Sequence, residues 1–230
     1  MTRRKALALC LSGSIALTGC ASYVALPAPI PTSDVMPAWR IEGAVAVGAD
    51  LYVQPERLEA VFGRDLRKVG VVPIQVLVQN SGERQYWLQR SAIALELPDG
   101  TQMNPVRATE VAVMEPPHPP RSIAANIALG ALLIPFIPIL IYPALIDVQL
   151  SDASRRQRRT DYWSKELVDV VLGENESVHG FVFFVLPPGT QALNEATLVL
   201  NIVDIAEARR FMIRLPQSGL GFKGVPAKAE

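Results

Sequence analysis

The chain has 230 residues, with 22 basic and 22 acidic side chains and a formal net charge of zero. This balance excludes the strongly basic footprint of a nucleic-acid-binding protein. The two cysteines, Cys10 and Cys20, are too few for a disulfide framework.

The N-terminus has the layout of a secretory signal peptide. A basic start at Arg3, Arg4 and Lys5 precedes an apolar stretch over 6–17, which is too short to span a membrane stably. The residues at the end of that stretch are Leu17, Thr18, Gly19 and Cys20. They resemble the lipobox of bacterial lipoproteins. The resemblance implies that 1–19 is removed and that Cys20 carries a covalent lipid at the mature N-terminus. The alternative is an ordinary signal peptide with an incidental cysteine.

The lipoprotein interpretation sets the charge and location of the mature chain. Removing three basic residues leaves 19 basic against 22 acidic side chains, a net charge of −3. Cys20 would be the only mature cysteine, so no internal disulfide is expected. Ala21 and Ser22 follow it, with no aspartate, a pattern that in lipoproteins of Gram-negative bacteria implies the outer membrane, facing the periplasm. The expected location is therefore the cell envelope.

Residues 20–39 are predicted to form a Pro-rich tether. Four prolines within this range favour extended backbone and exclude a helix. Such a segment can lift a domain off a bilayer. An N-terminal arm packed on the domain is the alternative.

A β domain is predicted over 40–216, followed by a tail at 217–230. Before residue 107 the pattern predicts a Gly-broken strand over 41–53, a helical piece over 55–70 and three strands within 71–100. In the middle strand region, Ile74, Val76 and Val78 share one face. After residue 165, further strands are predicted near 167–172, 181–185, 197–203 and 211–215.

These strands lie on both sides of a long insertion at about 107–165, and neither half alone suffices for a two-sheet core. The fold class is therefore predicted as mainly β, an immunoglobulin-like β-sandwich interrupted by an apolar helical hairpin. Three stretches, VVPIQVLVQNSG, LELPDG and GFVFFVLPPG, resemble uncharacterised envelope lipoproteins. That family has no assigned activity to transfer.

The apolar core of the insertion is 122–146. The 24 residues from Ile123 to Ile146 contain no charged side chain. As one straight helix they would reach ~36 Å, enough for the hydrocarbon core of a bilayer. A single crossing would separate the two halves of the sandwich, however, and Pro135 and Pro138 favour a break near the midpoint. A hairpin is therefore predicted, which can contact membrane, line an oligomer, bind an envelope protein or cover its own domain. A true span is the remaining alternative.

A basic run follows the insertion core. Arg155, Arg156, Arg158 and Arg159 are candidate contacts for anionic lipid head groups, each contributing about 1 kcal/mol near such a surface. Asp147, Asp152 and Asp161 lie close by in the sequence. The run can therefore equally be a solvated helix face.

The sequence offers little catalytic chemistry. His118 lies in a PPHPP loop and His179 near a turn, and the chain contains neither a GxSxG nor an HExxH motif. A GxGxxG pattern at Gly219–Gly224 has no helix-length segment after it, so no dinucleotide site is expected. We therefore predict no catalytic residues, no metal and no cofactor apart from the lipid on Cys20. The predicted role is a non-enzymatic, lipid-anchored envelope protein acting as a structural or interaction module. The alternatives are an accessory subunit of a secretion or transport complex that oligomerises through 122–146, and, more remotely, a hydrolase.

Overall fold

A computed structural model describes residues 23–33, 36–115, 152–187, 190, 193 and 195–217. The predictions for Cys20, the lipobox residues and the apolar segment 122–146 lie outside the described residues. In chain order the elements are β1 (Ala38–Glu42), β2 (Val45–Leu51), α1 (Pro55–Phe62), a 3₁₀ helix (Leu66–Val69), β3 (Val71–Asn80), β4 (Tyr86–Glu96), β5 (Gln102–Met103), α2 (Ala108–Val111), α3 (152–165), β6 (Val170–Leu172), β7 (Ser177–Val185), β8 (Thr197–Asp204) and β9 (Arg209–Pro216).

The strands form two antiparallel sheets, which confirms the mainly β prediction. The first sheet has the order β1-β2-β3-β7, and the second has the order β5-β4-β8-β9, with β6 also pairing with β4. Strands from before and after residues 116–151 pair directly, since β3 pairs with β7 and β4 pairs with β8. The two parts of the sequence therefore build one domain.

The main core lies between the inner faces of the two sheets. On β3 it takes Ile74, Val76 and Val78, the three residues predicted to share a face. On β4 the core residues change parity, from Tyr86 and Leu88 to Ile93 and Leu95. The pairing of β4 with β8 shifts register between Leu88 and Ile93. Such an irregularity inserts extra residues into one strand and reverses the direction of the side chains after it.

The predicted helical piece over 55–70 is divided in two. Pro55 begins α1, as predicted, but the helix ends at Phe62 because Gly63 adopts a left-handed conformation with φ of 67°. The 3₁₀ helix then runs to Gly70, which is also left-handed. The first of the two glycines therefore ends the α-helix one turn earlier than its apolar spacing indicates.

A second hydrophobic cluster lies on the opposite face of the first sheet. Strand β7 supplies both clusters, with Val182 and Phe184 in the main core and Phe181 and Phe183 in the second. This explains its uninterrupted apolar run, because both of its faces are buried. The second cluster also contains side chains from α1, α2 and α3, among them Leu58, Phe62, Ala108, Val111 and Tyr162.

The two ends of the predicted insertion are part of the domain. Val106 donates its N–H to the carbonyl of Phe183, and Leu167 donates its N–H to the carbonyl of Phe181. Both ends of the insertion therefore bridge to the edge of β7 that does not pair with β3. The backbone approach is close at Gly180, where an added Cβ would lie 2.7 Å from backbone atoms of Leu167. Residues 106–115 and 152–167 are therefore fixed on the domain through backbone bridges and buried side chains.

Candidate functional site

The N-terminal arm and the two ends of segment 116–151 meet at one surface, built around α3. We call this surface the exit face and define it by Tyr23, Glu115 and α3. Arg155 of α3 forms an ion pair with Glu115 at 3.7 Å, and the side chain of Tyr23 lies against Arg158 and Asp161. The exit face therefore contains the start of the arm at Tyr23 and both ends of segment 116–151.

The arm over 23–33 lies against the domain. Leu26 donates its N–H to the carbonyl of Ala60 at 2.8 Å, and the Gln75 side chain donates to the carbonyl of Pro29 at 2.6 Å. Tyr23 packs against the second cluster, and an added Cβ at Gly63 would lie 2.7 Å from its ring. These contacts match the packed-arm alternative. Over 23–33 the chain is therefore a packed arm and not a free tether.

Tyr23 is held by a partly buried group of polar side chains. Its hydroxyl donates to Asp161 at 2.5 Å, and the ammonium of Lys165 donates to the same carboxylate oxygen at 2.6 Å. Lys165 also donates to the carbonyl of Val61, which ties α3 to α1. Burial raises the pKa of Tyr23 well above its usual value, and the hydrogen bond to Asp161 and its negative charge raise it further. Tyr23 therefore stays a neutral donor throughout the physiological pH range.

Alkaline pH is expected to release the arm. Because the folded-state pKa of Tyr23 is raised, its contribution to stability is complete below the unfolded pKa of about 10 and is lost as the pH rises above that value. Tyr52 and Tyr162 also have raised pKa values, caused chiefly by burial. Tyr23→Phe should therefore reduce the steepness of the stability loss above pH ~10, measured by urea unfolding followed through tryptophan fluorescence. An unchanged slope would show that the Tyr23 hydroxyl is equally solvated in both states.

Arg64 joins the two ends of segment 116–151. Its guanidinium donates to the carbonyls of Val111 and Met114 at 2.5 and 2.6 Å and to the hydroxyl of Tyr162 at 3.2 Å. That hydroxyl in turn donates to the carbonyl of Phe62 at 2.9 Å. The Arg64 guanidinium thus satisfies two carbonyl oxygens at the end of α2 and, through Tyr162, holds α3 beside that helix. The spacing of the two ends is fixed by the domain itself.

The four predicted head-group arginines do not share one environment. Arg155, Arg156 and Arg159 are exposed on α3. Arg158 is half-buried, lies 5.6 Å from the ring centroid of Tyr23 and donates to the carbonyl of Ala112 at 3.5 Å. Its place on the inner side of the helix makes it a residue that positions the arm. Arg158 therefore does not share the exposed side of α3 with the other three arginines.

Trp163 is a surface residue that sequence reasoning missed. It is 61% exposed and lies four residues after Arg159, on the same side of α3. The signal was present in the spacing Arg155, Arg159, Trp163. This spacing was overlooked because the much stronger apolar pattern of 122–146 precedes α3.

The described residues show little else that is chemically reactive. His179 is exposed on β7, and no group of three or more histidine, cysteine or acidic side chains lies close enough to hold a metal within the part of the chain that the structure describes. The helices within that part are all too short or too polar to cross a membrane.

Comparison with known proteins places the chain in no family. No protein-family model matches it, and no curated protein matches it. Among solved structures, it is similar to ycdA of Bacillus subtilis, described as a candidate lipoprotein, with 13% identity and a TM-score of 0.37 over 77% of this chain and 38% of that one. It is also similar to yjhA of Bacillus subtilis, with 11% identity and a TM-score of 0.36 over 78% of this chain and 96% of that one. At these TM-scores neither structure defines the fold or the role of this chain.

Proposed function

We propose that the protein is a lipid-anchored, non-enzymatic component of the cell envelope that holds an immunoglobulin-like β-sandwich against a membrane by two attachments. One attachment is the lipid on Cys20, and the other is the apolar segment 122–146. The domain would serve as a structural or interaction module. The observation that carries this proposal is the meeting of the arm and both ends of segment 116–151 at the exit face.

The position of Tyr23 supports attachment of the domain through this face. Cys20 precedes Tyr23 by three residues, so a lipid on Cys20 lies at most ~11 Å of extended chain from the packed tyrosine. The docked arm therefore leaves little freedom between anchor and domain. A membrane that holds the lipid would lie close to α3.

The contact between Glu115 and Arg155 supports a hairpin. Residues 116–151 leave and return within reach of one ion pair, and the strands on either side pair in the same sheets. A single crossing would place those paired strands on opposite sides of a bilayer. A segment that enters and leaves from one side is compatible with both the pairing and the three prolines in 122–146.

The location follows from the signal peptide and from the residues after Cys20. Ala21 and Ser22 favour release to the outer membrane, with the domain in the periplasm. The packing of two antiparallel sheets around one shared core supports the proposal of an immunoglobulin-like sandwich. Sandwiches of this kind commonly present surfaces to partner proteins.

The test is a set of variants expressed in a Gram-negative host. The first is exported behind a signal lacking the lipobox, the second keeps Cys20 but has 116–151 replaced by a short Gly-Ser linker, and the third combines both changes. The ends are fixed by Arg64 and by the bridges to β7, so the linker should leave the domain intact. Membranes are washed with high salt, which removes contacts made by charge alone.

We expect the first two variants to stay with the membrane and the third to be soluble. If the first variant is washed off as a soluble monomer, segment 122–146 makes no membrane attachment and Cys20 alone holds the protein. A defined oligomer in detergent that disappears in the second variant would instead favour the accessory-subunit alternative.

A further inference from the structure

The outer side of α3 carries a basic stripe that ends in an exposed tryptophan. Arg155, Arg159 and Trp163 follow one another at intervals of four residues, so they lie on one side of the helix over about 12 Å. Arg156 is adjacent to this row, and all four side chains are exposed. We call these four residues the α3 stripe.

The inner side of α3 is occupied by the domain. Tyr162 and Lys165 are buried, and Arg158 is directed towards Tyr23 and Ala112. The helix is thereby fixed in rotation, and the α3 stripe cannot turn inwards. Its exposure is a consequence of the packing that holds the two ends of segment 116–151.

The charge of the stripe is only partly compensated. Arg155 pairs with Glu115, and Asp152 lies on the same side of the helix one turn before Arg156. Arg156 and Arg159 make no ion pair with any other residue that the structure describes. Their guanidinium groups can donate paired hydrogen bonds to a phosphate, for which arginine has the appropriate planar geometry.

The exposed indole ring of Trp163 indicates which class of partner the α3 stripe binds. An indole ring beside arginines on a helix surface is typical of a helix that lies at the head-group level of a bilayer, where the ring is partly apolar and its N–H can be hydrated. The stripe lies on the exit face, beside the arm that begins three residues after Cys20 and beside both ends of segment 116–151.

We propose that Arg155, Arg156, Arg159 and Trp163 form a docking surface for anionic lipid head groups. This inference rests on the proposed function, because the lipid and the apolar segment bring α3 to the bilayer. The arginines then bind head-group phosphates and Trp163 enters the interface. The lipid and the apolar segment set the distance of the domain from the bilayer. The α3 stripe then sets the orientation of the domain on the membrane surface.

The test uses the full lipidated protein, reconstituted into vesicles of neutral phosphatidylcholine or of phosphatidylcholine with phosphatidylglycerol. Thr160→Cys places a thiol beside the stripe, where the native hydroxyl makes only a local bond to the carbonyl of Arg156. Cys10 leaves with the signal and Cys20 is acylated, so the introduced thiol is the only free one. The matched control is Glu83→Cys, in the turn after β3, about 30 Å along that strand from Val71 of the second cluster. The readout is the rate of reaction with a maleimide that does not cross membranes.

We expect the thiol of the Thr160→Cys variant to be protected in anionic vesicles and the thiol of the Glu83→Cys control to react freely. Each arginine near an anionic surface strengthens association roughly fivefold, so Arg156→Gln with Arg159→Gln should reduce the protection by up to about 30-fold. High salt should have a similar effect. Trp163→Ala should also reduce protection.

The remaining outcomes separate the two proposals. Equal protection of the Thr160→Cys variant in neutral and anionic vesicles, unchanged by the two arginine substitutions, would overturn head-group binding but leave the exit face on the bilayer. A thiol in that variant that reacts freely in every vesicle would overturn both. Protection that persists in detergent and increases with protein concentration would overturn lipid binding and show that the stripe binds a second copy of the chain.

Discussion

Tyr162→Ala is expected to destabilise the protein by about 3–5 kcal/mol, as for other large aromatic side chains removed from a core. Tyr162 is fully buried against Phe62 and Phe183, and its hydroxyl links Arg64 to the carbonyl of Phe62. Its loss leaves a cavity in the second cluster and removes a partner of a half-buried cation. The measurement is the urea midpoint of unfolding, read by circular dichroism.

The neighbouring residue provides the control for Tyr162. Trp163 is of similar size but exposed, so Trp163→Ala should change the free energy of unfolding by less than about 0.5 kcal/mol. Tyr162→Phe keeps the ring and removes only the hydroxyl, and it should fall between the two. If Tyr162→Ala and Trp163→Ala had equal effects, α3 would not be packed on the domain as described.

Glu166→Ala is expected to cost about 3 kcal/mol, because it breaks a buried ion pair and leaves a charge without its partner. Glu166 and Arg90 lie 3.5 Å apart, with side chains only 5% and 11% exposed. The same carboxylate accepts the backbone N–H of Ala108 at the start of α2. The substitution should therefore also loosen residues 106–115, which hydrogen exchange at Val111 and Ala112 would detect.

A surface ion pair gives the matched comparison. Glu96 and Arg214 lie 2.7 Å apart but are more exposed, so Glu96→Ala should cost at most about 1 kcal/mol. A cost for Glu166→Ala as small as that of Glu96→Ala would contradict the buried ion pair. It would mean that the carbonyls of Pro105 and Val106, which Arg90 also contacts, suffice for this cation.

Most strands could be predicted because each has at least one buried face. The alternation of Ile74, Val76 and Val78 in β3 follows directly from a core on one side of the sheet. The apolar run of β7 also predicted a strand. It could not reveal that Phe181 and Phe183 face a second cluster, because that cluster depends on helices distant in sequence.

Strand β4 shows where local patterns are insufficient. Two of the three strands predicted within 71–100 were separate ones in RQYWLQ and AIALELPDG. The structure has one strand with an irregular register, in which the backbone N–H of Arg90 binds Asp169. The partner that stabilises this irregularity is 79 residues away, so no local window could contain it.

The exit face could be predicted only in part. The basic run on α3 was evident in the sequence, where a solvated helix face was one of its two interpretations. The inward position of Arg158 was not predicted, and the packed arm was only the alternative to a tether, because both depend on Tyr23 meeting a helix 138 residues away. Pro-rich composition indicates extended backbone and gives no information on what that backbone contacts.

The bridges to β7 also affect how the protein behaves at high concentration. An open strand edge offers unpaired backbone groups to other chains and promotes edge-to-edge aggregation. Here Val106 and Leu167 bond to the outer side of β7, while the terminal strand β9 carries exposed Arg209, Arg210 and Arg214. One edge is thus covered and another is charged. The described domain can in this way remain at high local concentration without forming intermolecular sheets.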